Sequence, residues 1–322
     1  MEFDIKNIFF WSGKFRTENT PPDAFQDTGL GVFRLAVKNY RSLRILRSDN
    51  SIVWDVQYEI DSKYFRRVSL TEQSKKSHDL RGFIMLGDSR IFGEGLSDRD
   101  TLTTKLGQLI KNNRFYNYSL PGLFPGEALD RVRLISGAGY NQEIQESKNA
   151  LVYFYSPYQI YRSVASFNHI ANGGYKRPFY YQNEKSEIVQ KETVQSVMPF
   201  RSWLSDVFVQ SRIFRKHRLD WPKVTESDWL HFISILKQIR QNSYRFGVDK
   251  FYVIIYPDYD PTTLDLIQHL EKAKIPYISY AHWRIQNLSS KPVLIENEGH
   301  PNGEFNSIFA QALSAENYLF KD

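Results

Sequence analysis

The 322-residue chain has no cysteine, only seven histidines, and no apolar run near the roughly 20 residues needed to cross a bilayer. The missing cysteine removes disulfides, thiolate metal sites and a cysteine nucleophile from consideration, and it leaves the redox compartment unread. The opening "MEFDIKNIFFW" carries acidic residues and too short an apolar core for a signal peptide. As it stands the sequence reads as soluble, without a transmembrane segment. A leader or anchor removed from ahead of residue 1 would leave the same sequence, so cytoplasmic and exported or periplasmic locations both stay open. Charge is also not one-sided: 42 basic against 36 acidic residues give +6, a mild excess spread along the chain that does not point to nucleic acid. The densest cluster, "SRIFRKHR" at Ser211 to Arg218, suits either a solvated helix face or an anionic surface. No cofactor is expected. The histidines lack paired ligands at metal-binding spacing, and "GDSRIFGEG" has neither the Gly-Lys-Ser/Thr of a phosphate loop nor a dinucleotide fingerprint.

What is present is ample core material, 41% hydrophobic and 15% aromatic, enough for a packed globular chain. Residues 1–78 carry the strand-like runs "SLRILR" and "SIVWDVQYEI" around the turn signal Ser48-Asp49-Asn50, which predicts a small β-rich unit. The polar "TEQSKKSHD" at Thr71 to Asp79 reads as a linker, so a second unit is expected over residues 79–322. There, strand-like runs at 83–87, 114–120, 150–156, 250–257 and 275–283 alternate with amphipathic helical segments. Leu102, Leu106, Leu109 and Ile110 form one helical face, and Trp229, Phe232, Ile233, Leu236 and Ile239 form another, with Thr225 or Ser227 as N-cap and Gly247 past its end. Such alternation predicts parallel strands crossed by helices. About 65 residues, roughly 157–221, separate the third strand from the next clear helix, which is long for a connection and suggests an insertion over the active edge. Its tyrosines and phenylalanines suit packing beneath a lid or stacking on sugar faces.

Open α/β sheets bind ligands at the carboxyl ends of their strands. "FIMLGDSRIFGEG" at 83–95 ends its strand by presenting the Ser89 hydroxyl, which becomes a nucleophile only if a base takes its proton. His300 in "ENEGHPNGEF" is the best candidate: it lies in a Gly/Pro/Asn-rich loop before a helix whose face is Phe305, Ile308, Phe309, Ala312 and Leu313, not on an apolar stripe. The alternative leaves Asp88-Ser89 as a cap or turn and Gly122 as a turn glycine.

The ordered blocks "GDS" at 87–89 with "FGEGLSDRDTL" at 92–102, "NYSLPG" at 117–122 and "GHPNGEF" at 299–305 resemble the SGNH (GDSL-type) hydrolases, serine esterases and acyltransferases. The resemblance spans about Gly82 to Phe320. It implies a flavodoxin-like three-layer α/β/α sandwich with a parallel central sheet, Ser89 as nucleophile, His300 as general base, and the Ser89 and Gly122 N–H groups as an oxyanion hole. Two departures stand out. The family's third-block asparagine is missing from "YFYSPYQIYR" at 153–162, leaving Gln159 as a possible donor or simply a loop glutamine. The usual aspartate before the histidine is replaced, so Glu298 is expected to orient His300, with Glu296 as the fallback and a backbone carbonyl also open. Arg90 and Tyr158 are substrate-binding candidates, Arg90 alternatively pairing with Asp88 or Glu94.

The implied function is hydrolysis of an O-acyl ester through an acyl-serine intermediate, with an O-acetyl group on a carbohydrate the expected substrate. Acyl transfer to a glycan shares the same intermediate. A catalytically weak glycan-binding scaffold is the alternative of another class. The β-rich first 78 residues read as a cover for the hydrolase unit or as a carbohydrate-binding appendage, and oligomeric state is not legible.

Overall fold

The computed structural model describes residues 15–20, 25–27, 33–35, 39–60, 66, 68, 81–111, 113–136, 149–171, 174–211, 222–245, 247–257, 260–281, 293–296 and 298–315. The expected linker at 71–79 and all but Ser211 of the basic cluster lie outside the described residues.

The first strands are antiparallel. β1 (Phe15–Thr20), β4 (Asn39–Leu46) and β5 (Ile52–Glu59) form a sheet in the order β1-β4-β5, and β2 (Phe25–Asp27) pairs with β3 (Phe33–Leu35). The turn expected at 48–50 joins β4 to β5: Asp49 accepts the Ser51 N–H at 2.8 Å, and Asn50 takes the left-handed conformation at φ 60° that asparagine tolerates.

From β6 (Arg81–Leu86) onward the chain builds a parallel sheet with β7 (Asn113–Asn117), β8 (Asn149–Tyr155), β11 (Val248–Ile255) and β12 (Tyr277–Ser279), ordered β12-β11-β8-β6-β7. Counted within this sheet the order is 2-1-3-4-5 from the β7 edge, the flavodoxin-like arrangement. Every residue of β6 and β8 is buried, because both faces of the sheet are covered. Alternate side chains leave on opposite faces. Ile84, Leu86, Leu151 and Tyr153 join one core with α3 (Pro125–Ser136), α8 (Glu226–Arg245) and α9 (Thr262–Lys272). Phe83, Met85, Val152 and Phe154 join the other with α2 (Leu102–Leu109) and α10 (Gly303–Ala315). Leu109, expected on the inner face of α2, is 46% exposed, and the helix ends there. The α8 face is buried as its spacing predicts, and Thr225 caps it: its hydroxyl accepts from Asp228 N–H at 3.4 Å while Asp228 accepts the Thr225 N–H at 2.8 Å.

Between β8 and α8 the chain forms α4 (Tyr158–Ser163), α5 (Phe167–Ala171), the hairpin β9 (Pro178–Gln182) and β10 (Ile188–Thr193), α6 (Val194–Val197) and α7 (Pro199–Gln210). Among the described residues no helix is long and apolar enough to cross a membrane. The strand order reverses between β7 and β8 on either side of β6, so the loop after β6 opens at the topological switch point. That loop carries Ser89.

Candidate active site

Leaving β6, the chain turns into α1 (Ser89–Phe92), four residues capped by Asp88, whose carboxylate accepts the Arg90 N–H at 3.1 Å. Asp88 also accepts the Ser156 hydroxyl at 2.7 Å and lies 3.7 Å from Arg162. Burial raises the pKa of this carboxyl, but the Arg90 and Arg162 charges outweigh it and hold Asp88 below its ordinary value. Asp88 is thus an anchor for α1, leaving the Ser89 hydroxyl as the group the turn presents.

His300 arrives from the other end of the chain. Ile295 N–H donates to His300 O at 2.8 Å, the Glu298 and Gly299 N–H groups both donate to Ile295 O, and Gly299 takes φ 92°, closing a tight loop before α10. Asn302 caps that helix through the Phe305 N–H, and the helix is seated in the second core. The loop that carries the His300 ring is therefore tied to a helix packed in the core. Its Nε2 is 2.8 Å from Ser89 Oγ, and its Nδ1 is 2.5 Å from Glu298 Oε2, which also accepts the His300 backbone N–H at 3.0 Å. Of the two expected acids, Glu298 is the one brought to the ring; Glu296 is exposed. Burial opposes a charged imidazole, yet the carboxylate of Glu298 outweighs it and raises the His300 pKa above its ordinary value. Burial likewise works to raise Glu298, and His300 outweighs it in turn, so Glu298 is depressed.

β7 ends in Asn117, whose side-chain amide donates to Ile91 O at 3.0 Å and Phe92 O at 3.3 Å, tying the second loop to α1. Gly122 follows at φ 73°, in the left-handed region that favours glycine, and a Cβ there would stand 2.9 Å from the Arg177 guanidinium. Among the described residues neither the Ser89 nor the Gly122 N–H donates to a protein acceptor.

The Gln159 expectation needs correcting. Gln159 is buried in the β8–α4 corner, where Nε2 donates to Phe154 O at 2.9 Å and Oε1 accepts from Tyr153 at 2.5 Å, so the strand end consumes its amide. Arg90 pairs with Asp88 at 3.5 Å, with its guanidinium 4.6 Å from the Tyr158 ring centre. Arg90 and Tyr158 are 8% and 5% exposed and pack against each other, with Arg90 taking the expected alternative of pairing with Asp88. Part of the aromatic insertion lines a groove of about 390 Å³ formed by Phe179, Tyr180, Tyr181, Arg201 and Lys223 among others, a set that includes neither Ser89 nor His300.

The sequence reading missed what the antiparallel sheet supplies. Arg44 of β4 lies 3.5 Å from Glu298 Oε1 and 3.8 Å from Glu94 Oε1, and its guanidinium is 4.8 Å from the ring centre of Trp54 on β5. Trp54 meets His300 edge-on at 6.3 Å. Tyr58 accepts the Gly95 N–H at 2.8 Å. Arg66, 1% exposed, donates to Phe92 O, Gly93 O and Leu96 O at 2.5–2.6 Å and pairs with Asp98 at 2.9 Å, closing the end of α1. No local pattern marks these residues, because their partners lie tens to hundreds of positions away.

No protein-family model matches the chain, and no curated protein matches it. Solved structures do match. One is a lipolytic protein of the G-D-S-L family from Veillonella parvula, 13% identical, covering 73% of this chain and 97% of that one at a TM-score of 0.41. Another, described as a putative lipolytic protein of the G-D-S-L family from Desulfitobacterium hafniense, is 10% identical over 73% of this chain and 98% of its own, TM-score 0.40. An acetyl xylan esterase from the rumen bacterium Butyrivibrio proteoclasticus, 10% identical, covers 82% of this chain and 66% of its own at 0.40.

Proposed function

We propose that the protein is a cofactor-independent serine esterase working through an acyl-Ser89 intermediate. One observation carries this reading: the continuous chain from Ser89 Oγ to His300 Nε2 at 2.8 Å and from His300 Nδ1 to Glu298 at 2.5 Å. Neutral His300 takes the Ser89 proton as Oγ attacks the ester carbonyl. The negative charge moves to the carbonyl oxygen, where the Ser89 and Gly122 N–H groups are its donors, each worth on the order of 3 kcal/mol in such sites. Collapse of the tetrahedral intermediate expels the alkoxide, which takes the proton from His300 Nε2. Water then repeats the sequence on the acyl-enzyme and releases the acid. Glu298 holds the imidazole with Nδ1–H toward itself, so that Nε2 is the basic nitrogen, and stabilises the imidazolium formed at each step.

An O-acetyl group on a carbohydrate is the proposed substrate. Ser89 is only 8% exposed, which favours a small acyl group. The test is hydrolysis of 4-nitrophenyl acetate together with labelling by a fluorophosphonate. Wild-type protein is expected to label stoichiometrically at Ser89, and Ser89→Ala to lose at least a thousandfold in kcat. Equal turnover in both proteins would overturn the assignment.

A further inference from the structure

Glu94 is the second carboxylate beside His300, and the mechanism above does not use it. Its Oε2 stands 3.8 Å from His300 Nε2, the nitrogen that faces Ser89, while Glu298 occupies the opposite ring nitrogen. The backbone holds it there: the Gly93 and Glu94 N–H groups both donate to Ser89 O at 2.9 Å, and the next residue, Gly95, is fastened to Tyr58. The side chain is four-fifths buried, at 20% exposure. Its two cationic neighbours, Arg44 and His300, are both 3.8 Å away, outside hydrogen-bond range. Among the described residues no donor reaches either oxygen. A carboxylate so largely withdrawn from water ordinarily accepts two or more hydrogen bonds. Burial accordingly pushes the Glu94 carboxyl above its ordinary pKa.

We infer that Glu94 recognises a hydroxyl on the alcohol portion of the substrate, next to the ester oxygen, and so makes the protein selective for esters of polyols. This rests on the esterase reading. In that reaction His300 Nε2 hands its proton to the departing alkoxide, so a group 3.8 Å from Nε2 faces the alcohol side of the ester and not the acyl side. A hydroxyl on the neighbouring carbon lies within one hydrogen bond of that region and offers the missing donor. Arg44 is shared between Glu94 and Glu298 and lies outside hydrogen-bond range of Glu94, so the donor that Glu94 lacks is one a hydroxyl can supply. Sugars and other polyols carry such vicinal hydroxyls, whereas simple alkyl alcohols do not.

The experiment compares kcat/KM for two esters with the same acyl group, ethyl acetate and glycerol 1-acetate, in wild type, Glu94→Gln and Glu94→Ala, on the alkaline plateau of the pH profile. The wild type is expected to favour glycerol 1-acetate by tenfold or more. Glu94→Ala should bring that ratio close to one, and Glu94→Gln, which keeps a carbonyl acceptor and the side-chain shape, should retain part of it. A wild-type ratio near one, or a Glu94→Ala variant that slows both esters equally, overturns the inference while leaving the esterase reading intact. Failure of the wild type to hydrolyse either ester, with no fluorophosphonate labelling, overturns both.

Discussion

The antiparallel sheet β1-β4-β5 and the parallel sheet around β6 reach Ser89 in different ways. The parallel sheet delivers the groups proposed to react: Ser89 after β6, Gly122 after β7, and His300 from the loop ahead of α10. The antiparallel sheet, and Arg66 beyond it, delivers groups that hold them: Arg44 between the two carboxylates flanking His300, Trp54 against the imidazole edge, and the Arg66 guanidinium closing α1. A region whose sequence reads as a cover or a binding appendage is thereby part of the electrostatic frame of the site. Reactive groups and their supports thus need not come from the same structural unit.

The largest effect is expected on the reacting side. Glu298→Ala should lower kcat for 4-nitrophenyl acetate by a hundred- to ten-thousand-fold, because His300 loses both its orientation and the partner of its charge. Retention of wild-type kcat would remove Glu298 from the machinery. On the supporting side, Arg66→Met leaves the Asp98 carboxylate and three carbonyls without their cation, and loss of one partner of a buried pair costs about 3–5 kcal/mol. Urea unfolding should show that loss; a shift below about 1 kcal/mol would mean α1 holds its shape without the arginine.

The smallest effect separates support from simple packing. His300 must be neutral to act as base, and its pKa is raised, so activity should climb with pH along a limb lying above the ordinary histidine value of about 6.5. Arg44→Met removes a positive charge from beside Glu298 and Glu94, strengthening the negative field on His300. The acid limb of kcat/KM should then move to higher pH by a fraction of a unit, whereas Glu298→Gln should move it lower. An unmoved limb in Arg44→Met would reduce the arginine to a packing role. Stability runs the opposite way. The raised His300 adds stability fully present below about pH 6.5 and lost as pH rises through its folded pKa. The depressed Glu298 adds stability present above about pH 4.3 and lost as pH falls through its folded pKa. The pair therefore stabilises the fold most in the acid window where the histidine is charged and unable to act as base.

Sequence reasoning reached the parallel strands because a sheet buried on both faces demands unbroken apolar runs such as Phe83–Leu86 and Ala150–Tyr155, a signal that is local and strong. It reached α8 because one helical face carries Trp229, Phe232, Leu236 and Ile239. It placed Gln159 wrongly because a glutamine at a strand end reads the same whether its amide faces a ligand or satisfies Phe154 O and Tyr153. It left Arg90 open between a substrate contact and a partner for Asp88, because only the fold shows that its guanidinium lies against both Asp88 and the Tyr158 ring.

The order of strands and helices, the hydroxyl at the end of β6 and the imidazole in a capped loop ahead of the last described helix were written in residue types and spacings, since each depends on interactions within a few residues. That Glu94 stands at the other side of the imidazole, with Arg44 between it and Glu298, was decided only when β4, the loop after β6 and the loop holding His300 packed together. Charges interact through space over a few ångströms, whatever number of residues separates them along the chain.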